Sequence, residues 1–275
     1  MIEASHGREF PEEQTVMDRT VVATEADGSE VYDQVVIEEP LQIIVDGHPV
    51  AVTMRTPGRD EELALGFLLT EGVIDSASQV RKVDIGSRPN HALVFLEDGV
   101  EVDFARLTRH VFSASSCGLC GKATIDAVTS SRPPLQDGAV FSCESLLEAP
   151  GLLAEVQTTF ARTGGLHGVG VFGSDGSRMI VCEDIGRHNA VDKVLGYSLR
   201  TGLDLSQCFL LVSGRVSFEI MQKALAGGIP LVAAISAPSS LAVEFAKESN
   251  QGLVAFLRPP KFRVYAGAAR IRWTA

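Results

Sequence analysis

Cys208-Phe209-Leu210-Leu211-Val212 is a short apolar run that stops at Ser213-Gly214-Arg215-Val216-Ser217. Phe218 to Ala226 follows with helical spacing. Gly227-Gly228-Ile229-Pro230 breaks it, and Leu231-Val232-Ala233-Ala234-Ile235 is apolar again. Short apolar runs bounded by turn residues read as strands, and their alternation with helices argues for an open α/β sheet with helices on its faces. The pattern extends outward in both directions. Further strands are predicted at His167–Phe172, Met179–Cys182 and Leu253–Phe256, and further helices at His188–Leu199 and Leu241–Ser249.

Upstream the grammar differs. Leu41–Val45 and Pro49–Met54 flank Asp46-Gly47, a strong hairpin signal. A helix is predicted next, with Thr56 as its cap, Pro57 at its first position, acids Asp60, Glu61 and Glu62 at its positive end, and Gly72 ending it. Val80–Ile85, Ala92–Leu96 and Val100–Phe104 read as further strands, Lys122–Val128 as a helix, and Leu146–Phe160 as largely helical. The expected organisation is a mobile acidic tail over 1–19, a small strand-rich α+β subdomain over 20–104, and the α/β core over 105–275.

The chain has 275 residues with a net charge of −11, and all of that excess lies in residues 1–62, which hold 15 acids against four Lys/Arg. General phosphate-backbone binding needs a basic footprint, so nucleic acid is not an expected partner. No apolar run is long enough to span a membrane, and the polar start is not a signal peptide, which leads to an expectation of a cytoplasmic protein. Two stretches lack acids altogether. Phe104–Ile125 carries Arg106, Arg109 and Lys122, and Ser249 to the end carries Arg258, Lys261, Arg263, Arg270 and Arg272. A small anionic ligand can use either.

Five segments carry possible chemistry. Cys117 and Cys120, within Ser116-Cys117-Gly118-Leu119-Cys120-Gly121-Lys122, are the only close pair among five cysteines. Two thiols so spaced can share a metal, form a disulfide, pack as small hydrophobes, or relay sulfur. A structural zinc needs four ligands and there is no second pair. Nearby cations and a following helix N-terminus favour thiolate and hence reactivity. Thr163-Gly164-Gly165-Leu166-His167 offers close backbone approach, with His167 as a structural residue or a ligand. Glu183-Asp184-Ile185-Gly186-Arg187-His188-Asn189-Ala190-Val191-Asp192-Lys193 lies where a strand turns into a helix, the usual ligand edge of an α/β sheet, with His188 and Asp192 on one helix face. Capping and solvation of the first turn is the competing reading. Ser213-Gly214-Arg215 is a second such turn and a possible anion site. Phe256-Leu257-Arg258-Pro259-Pro260-Lys261-Phe262-Arg263 interleaves aromatics with cations, either to stack a base and hold phosphate or to form a protected basic edge strand.

Taken in order, Ser-Cys-Gly-x-Cys-Gly, Gly-Gly-x-His, the motif from Glu183 to Val194, Ser-Gly-Arg and Phe-x-Arg-Pro-Pro resemble the FdhD-type formate dehydrogenase accessory sulfurtransferases. Arg55 to Gly72 is similar too, and the likeness runs from about residue 35 to 267. The resemblance implies a sulfur carrier that takes persulfide sulfur from a cysteine desulfurase. It would pass this sulfur to the molybdenum bis(molybdopterin guanine dinucleotide) cofactor, held as a bound client, before that cofactor enters formate dehydrogenase. It maps the persulfide to Cys117, with Cys120 as partner, and the guanine dinucleotide segment to Phe256, Leu257, Arg258, Pro259, Pro260 and Lys261. His167, Arg187, His188, Ser213 and Arg215 are expected to complete the cofactor site. The implied fold is a cytidine-deaminase-like three-layer core with a small N-terminal subdomain, assembled as a homodimer, with no permanent metal. Deaminase chemistry is not expected. It needs His-x-Glu and Pro-Cys-x-x-Cys, whereas Ser116 precedes Cys117 and His167 is followed by Gly168-Val169. The alternative function is a non-catalytic chaperone for the same cofactor.

Overall fold

The computed structural model describes residues 17–104, 132–136 and 138–273. Strands β1 (Asp18–Thr24) and β2 (Glu30–Val36) pair as an antiparallel ribbon. β3 (Glu39–Val45) and β4 (His48–Arg55) form the hairpin predicted at Asp46-Gly47, and both turn residues take positive φ, 45° and 82°. Turns of that sign twist with the strands they join. Helix α1 (Asp60–Thr70) follows, then β5 (Val80–Asp84) and β6 (His91–Leu96). The sheet order is β4-β3-β6-β5, with β3 and β6 parallel. Leu41, Ile43 and Val45 are its fully buried alternate residues, the period-two sign of a covered face.

The rest of the chain runs β7 (Phe141–Ser142), α2 (Cys143–Ala154), α3 (Thr158–Thr163), β8 (His167–Gly173), β9 (Arg178–Asp184), α4 (Arg187–Thr201), β10 (Cys208–Val212), α5 (Phe218–Ala226), β11 (Leu231–Ala234), α6 (Ser240–Glu248), β12 (Gly252–Arg258), β13 (Lys261–Ala266) and β14 (Ile271–Arg272). Six strands form one mixed sheet in the order β13-β12-β11-β10-β8-β9. β10, β11 and β12 are mutually parallel, and β8 runs against β10. Alternate residues of β10 enter different cores. Leu210 and Val212 pack with α4, α5 and α6, whereas Phe209 and Leu211 pack with α2. A strand covered on both faces has no polar face to show, so it reads as a continuous apolar run. The mixed α/β architecture expected from the sequence is therefore present, with helices on both faces.

Helix α1 lies across α4 at Gly66 and Gly196. A methyl group at Gly66 would overlap the Asp192 carbonyl, and one at Gly196 would overlap the Glu62 carbonyl. Two glycines let the helix backbones touch. One apolar cluster then runs from Leu41 and Leu68 through Val191 and Leu195 to Leu210.

Several expectations need correction. Thr56 does not cap α1, because Arg59 precedes the helix at φ 56° and gives no side-chain cap. Thr56 is fully buried and bonded instead to the β9–α4 turn. Val100–Phe104 makes no ladder, and its apolar side chains pack onto the core from an irregular segment. Leu146–Phe160 is two helices, α2 and α3, with Pro150 inside the first. Of the expected tail, Asp18 and Arg19 open β1, and residues 1–16 lie outside the described residues. The predicted Lys122–Val128 helix and the cysteine loop also lie outside them.

Candidate functional site

Because β10, β11 and β12 are parallel, their carboxyl ends share one edge of the sheet with the amino ends of α5 and α6. β8 runs the other way and brings His167, its first residue, to that edge, while β9 ends there at Asp184, opposite His167. The loops are tied strand to strand. Ser213 donates its backbone N–H to Gly168 O at 2.9 Å, and Gly168 N–H donates to Ser213 Oγ at 3.0 Å. Val216 N–H donates to Ala237 O, Ser239 N–H to Val216 O, and Phe256 N–H to Ser236 O. The rim is thus fixed by backbone bonds from β8 to β12.

Most of the polar motif at 183–193 holds the fold together. Asp184 is fully buried. Its Oδ2 accepts from Lys193 Nζ at 2.7 Å and Thr56 N–H at 3.2 Å, and its Oδ1 accepts from Gly186 N–H and Asn189 Nδ2. Asn189 also donates to Met54 O. Glu183 accepts from the Thr159 and Phe160 N–H groups that open α3. Asp192 accepts from Lys223 Nζ at 2.8 Å and from Thr70 Oγ1. Burial works against the Lys223 charge, but Asp192, Glu71 and Glu219 outweigh it and raise its pKa. His188 and Asp192 do share a face of α4, as their spacing predicts, but that face meets α5. Glu219 and Lys223 repeat the same i,i+4 spacing there, and His188 Nε2 lies 2.9 Å from Glu219 Oε2.

Arg187 and His167 remain directed at the edge. Burial, followed by the charges of Arg187 and His188, holds the His167 pKa below its ordinary value. A Cβ at Gly214 would stand 3.3 Å from His167 Nδ1 and 3.7 Å from Arg187 Cδ. The glycine therefore keeps open a cradle between these two side chains. Arg187 Nε is buried with no hydrogen-bond partner. Arg215 is exposed beside the cradle. Ser213, by contrast, is committed to the Gly168 backbone, and Gly164 ends α3 in the left-handed conformation.

The Phe256–Lys261 segment closes the same edge as the turn of the β12–β13 hairpin. Leu257 is fully buried, whereas Arg258, Pro259, Pro260 and Lys261 are exposed. Arg258 Nε donates to Ile235 O at 3.2 Å. Phe256 sits in a bulge at φ 50°, and the Arg263 guanidinium lies 4.8 Å from its ring centroid. β13 is also the sheet's edge strand, so the edge-strand reading of this segment describes its structure. Five sequence-predicted binding residues, His167, Arg187, His188, Ser213 and Arg215, thus gather at the β8/β10 end of one edge, and the hairpin residues gather further along it. Sequence reading singled out Gly214 and Arg263 within their motifs but missed Glu219. Glu219 had a signal in the matching i,i+4 spacing of Glu219 and Lys223 on α5.

Residues 36–272 match the FdhD/NarQ family. The chain belongs to the FdhD/NarQ family. It is 48% identical over 251 residues to the sulfur carrier protein FdhD of Streptomyces avermitilis, covering 87% of this chain and 89% of that one. It is 49% identical over 249 residues to the sulfur carrier protein FdhD of Mycobacterium tuberculosis, covering 86% and 90%. The crystal structure of a Desulfotalea psychrophila protein assigned as a formate dehydrogenase accessory protein superposes with a TM-score of 0.75 at 25% identity, over 93% of this chain and 98% of that one.

In this FdhD/NarQ chain Cys117 and Cys120 lie outside the described residues. Cys143, Cys182 and Cys208 are buried, and burial with Asp204 and Asp175 pushes the Cys208 thiol up to about 11. Among the described residues no three His, Cys, Asp or Glu side chains group as a metal site, and no helix is long and apolar enough to cross a membrane. A depression of about 260 Å³ lies at the far ends of α1, α4 and α5. Its polar side chains are already engaged, Asp75 by Arg132 and Ser198 by Val194 O. The polar sheet edge is the candidate site.

Proposed function

We propose that this protein is a sulfurtransferase that carries persulfide sulfur from a cysteine desulfurase to the molybdenum bis(molybdopterin guanine dinucleotide) cofactor for formate dehydrogenase. The observation that carries the reading is near-50% identity, over almost the whole chain, to proteins described as sulfur carriers. In the step proposed, the Cys117 thiolate attacks the terminal sulfur of the donor persulfide. A new S–S bond forms on Cys117, the donor S–S bond breaks, and the donor cysteine leaves as thiolate. Cys120 is the partner thiol. The three buried cysteines are poor competitors, because Cys143, Cys182 and Cys208 are covered by the fold and burial pushes the Cys208 thiol up to about 11.

The sheet edge suits a large polyanionic client. Arg187, Arg215, Arg258 and Lys261 present cations along it, beside the N-termini of α4 and α5. The unpartnered Arg187 Nε and the Gly214 cradle fit an acceptor oxygen from such a group. The layered core, with the β8–β9 pair beside three parallel strands, supports a cytidine-deaminase-like fold. We read the protein as a cytoplasmic homodimer whose domain border lies near residue 105.

The test is an intact mass spectrum after incubation with a cysteine desulfurase and cysteine, for wild type, Cys117→Ala and Cys120→Ala. One added sulfur, removed by reductant and absent in Cys117→Ala, is expected. No added sulfur on wild type, with the desulfurase shown active on another acceptor, would replace this reading with that of a non-catalytic cofactor chaperone. The Arg187 Nε left without a hydrogen-bond partner at the edge is the observation that favours this second reading, since it speaks for binding rather than chemistry.

A further inference from the structure

Resting on the reading of the protein as a homodimer, we propose that the β1–β2 ribbon is an arm. The ribbon of one copy docks on the free edge of β13 in a second copy, an acidic and apolar finger against a basic and aromatic strand.

The ribbon is a sheet of two strands, and a lone pair of strands is marginal in water. The chain holds its base. Ile37 N–H donates to Met17 O at 2.8 Å, Arg162 Nε donates to Asp18 Oδ2 at 2.6 Å, and Val36 packs where Gly165 leaves room. Further out, Val22 and Tyr32 stand opposite each other across the pair, 58% and 83% exposed. Neither apolar cluster of the described residues takes in a side chain of β1 or β2. The ribbon is also acidic, because residues 18–36 hold five acids against Arg19. Asp18 is spent on Arg162, whereas Glu30 and Asp33 make no ion pair among the described residues.

β13 offers the matching chemistry. It ends the order of the six-stranded sheet, so no strand lies along its outer edge among the described residues, and such an edge is a template for another strand. Lys261 and Arg263 are exposed along it. Trp273 is 57% exposed and stacks on Phe262 at 6.1 Å between ring centroids, with Arg272 exposed next to it. From Arg258 to Trp273 the sequence has five cations and no acid. Tyrosine, tryptophan and arginine are the side chains that most often anchor protein interfaces.

The positions of the two surfaces call for a second copy. The ribbon is rooted at α3, whose first amides are held by Glu183 of β9, and β9 lies at the opposite end of the strand order from β13. Five strand spacings, about 24 Å, separate the two ends. The surfaces therefore meet between molecules, and in a two-fold dimer the contact is made twice.

Sedimentation equilibrium of the full chain at low ionic strength tests this. Wild type is expected to be a dimer. Glu30→Arg/Asp33→Arg and Arg263→Glu/Arg272→Glu should each weaken it about a hundredfold or more, because each reversal sets like charges together in both contacts. Mixed in equal amounts, the two variants should pair at near wild-type strength, since every ribbon then faces the opposite charge again. Should either variant lose its native circular dichroism, Tyr32→Ser and Trp273→Ser replace the reversals, each expected to weaken the dimer about tenfold or more. A dimer that survives either reversal, folded reversals that do not pair when mixed, or unchanged association of the serine variants overturns the arm and leaves the homodimer reading standing. A monomeric wild type strikes both. Persulfide loading of Cys117 is read separately, so the sulfur-carrier reading does not depend on any of these results.

Discussion

Lys193 Nζ stands 2.7 Å from Asp184 Oδ2, with the lysine 1% and the aspartate 0% exposed. The pair joins the first helical turns of α4 to the end of β9, and through the Thr56 carbonyl and amide it also holds the segment that leads into α1. A buried pair contributes little over an apolar substitute, but removing one member strands the other charge. Lys193→Met and Asp184→Asn are each expected to cost about 3–5 kcal/mol. Denaturant unfolding should show a lowered midpoint, with the double variant losing less than the sum of the two singles. A loss below about 1 kcal/mol in both single variants would contradict this account of the pair.

The α1–α4 crossing depends on Gly66 and Gly196 for a reason of space. Neither has positive φ, and in both an added methyl meets backbone carbonyl, which has nowhere to go. Alanine at either position is expected to lower stability by about 1–3 kcal/mol. Gly151, inside α2 with open space around it, should behave oppositely. Its alanine variant should gain about 0.4–1 kcal/mol. Thermal melting of the three variants side by side checks the contrast.

His167 makes stability depend on pH with a definite sign. Burial and then Arg187 and His188 depress its folded pKa. As pH falls through the unfolded value, about 6.5, the unfolded chain takes up the proton first, so stability is lost towards lower pH. It is fully kept above that value. The wild-type midpoint in denaturant should drop between about pH 7 and pH 5, and His167→Gln should flatten part of that drop. Parallel profiles for the two proteins would show that His167 does not titrate in this window.

Thiol reactivity should divide by environment. Cys208, pushed up to about 11, and the buried Cys143 and Cys182 are expected to resist iodoacetamide at pH 8 in the native protein. Native adducts should therefore be confined to Cys117 and Cys120, and unfolding should expose all five. Peptide mapping that finds native alkylation of Cys208 would remove the basis for calling it inert.

The apolar runs at Cys208–Val212 and Leu231–Ala234, the Asp46-Gly47 turn and the helix from Phe218 to Ala226 were all legible in the chain, because periodicity and turn chemistry act between near neighbours. The motifs from Arg55 to Lys261 likewise marked the family. Roles within a motif were not legible. His188 and Asp192 stand on one face of α4 by spacing alone, but only packing against α5 turns that face to Glu219 and Lys223. Thr56 looked like a helix cap, yet Asp184, distant in sequence, claims it. Local sequence determines what each segment becomes and which chemistry it carries. Tertiary structure alone decides that Arg187 keeps an unpaired donor beside Gly214 while its polar neighbours are spent, because that choice is set by contacts between residues far apart in the chain.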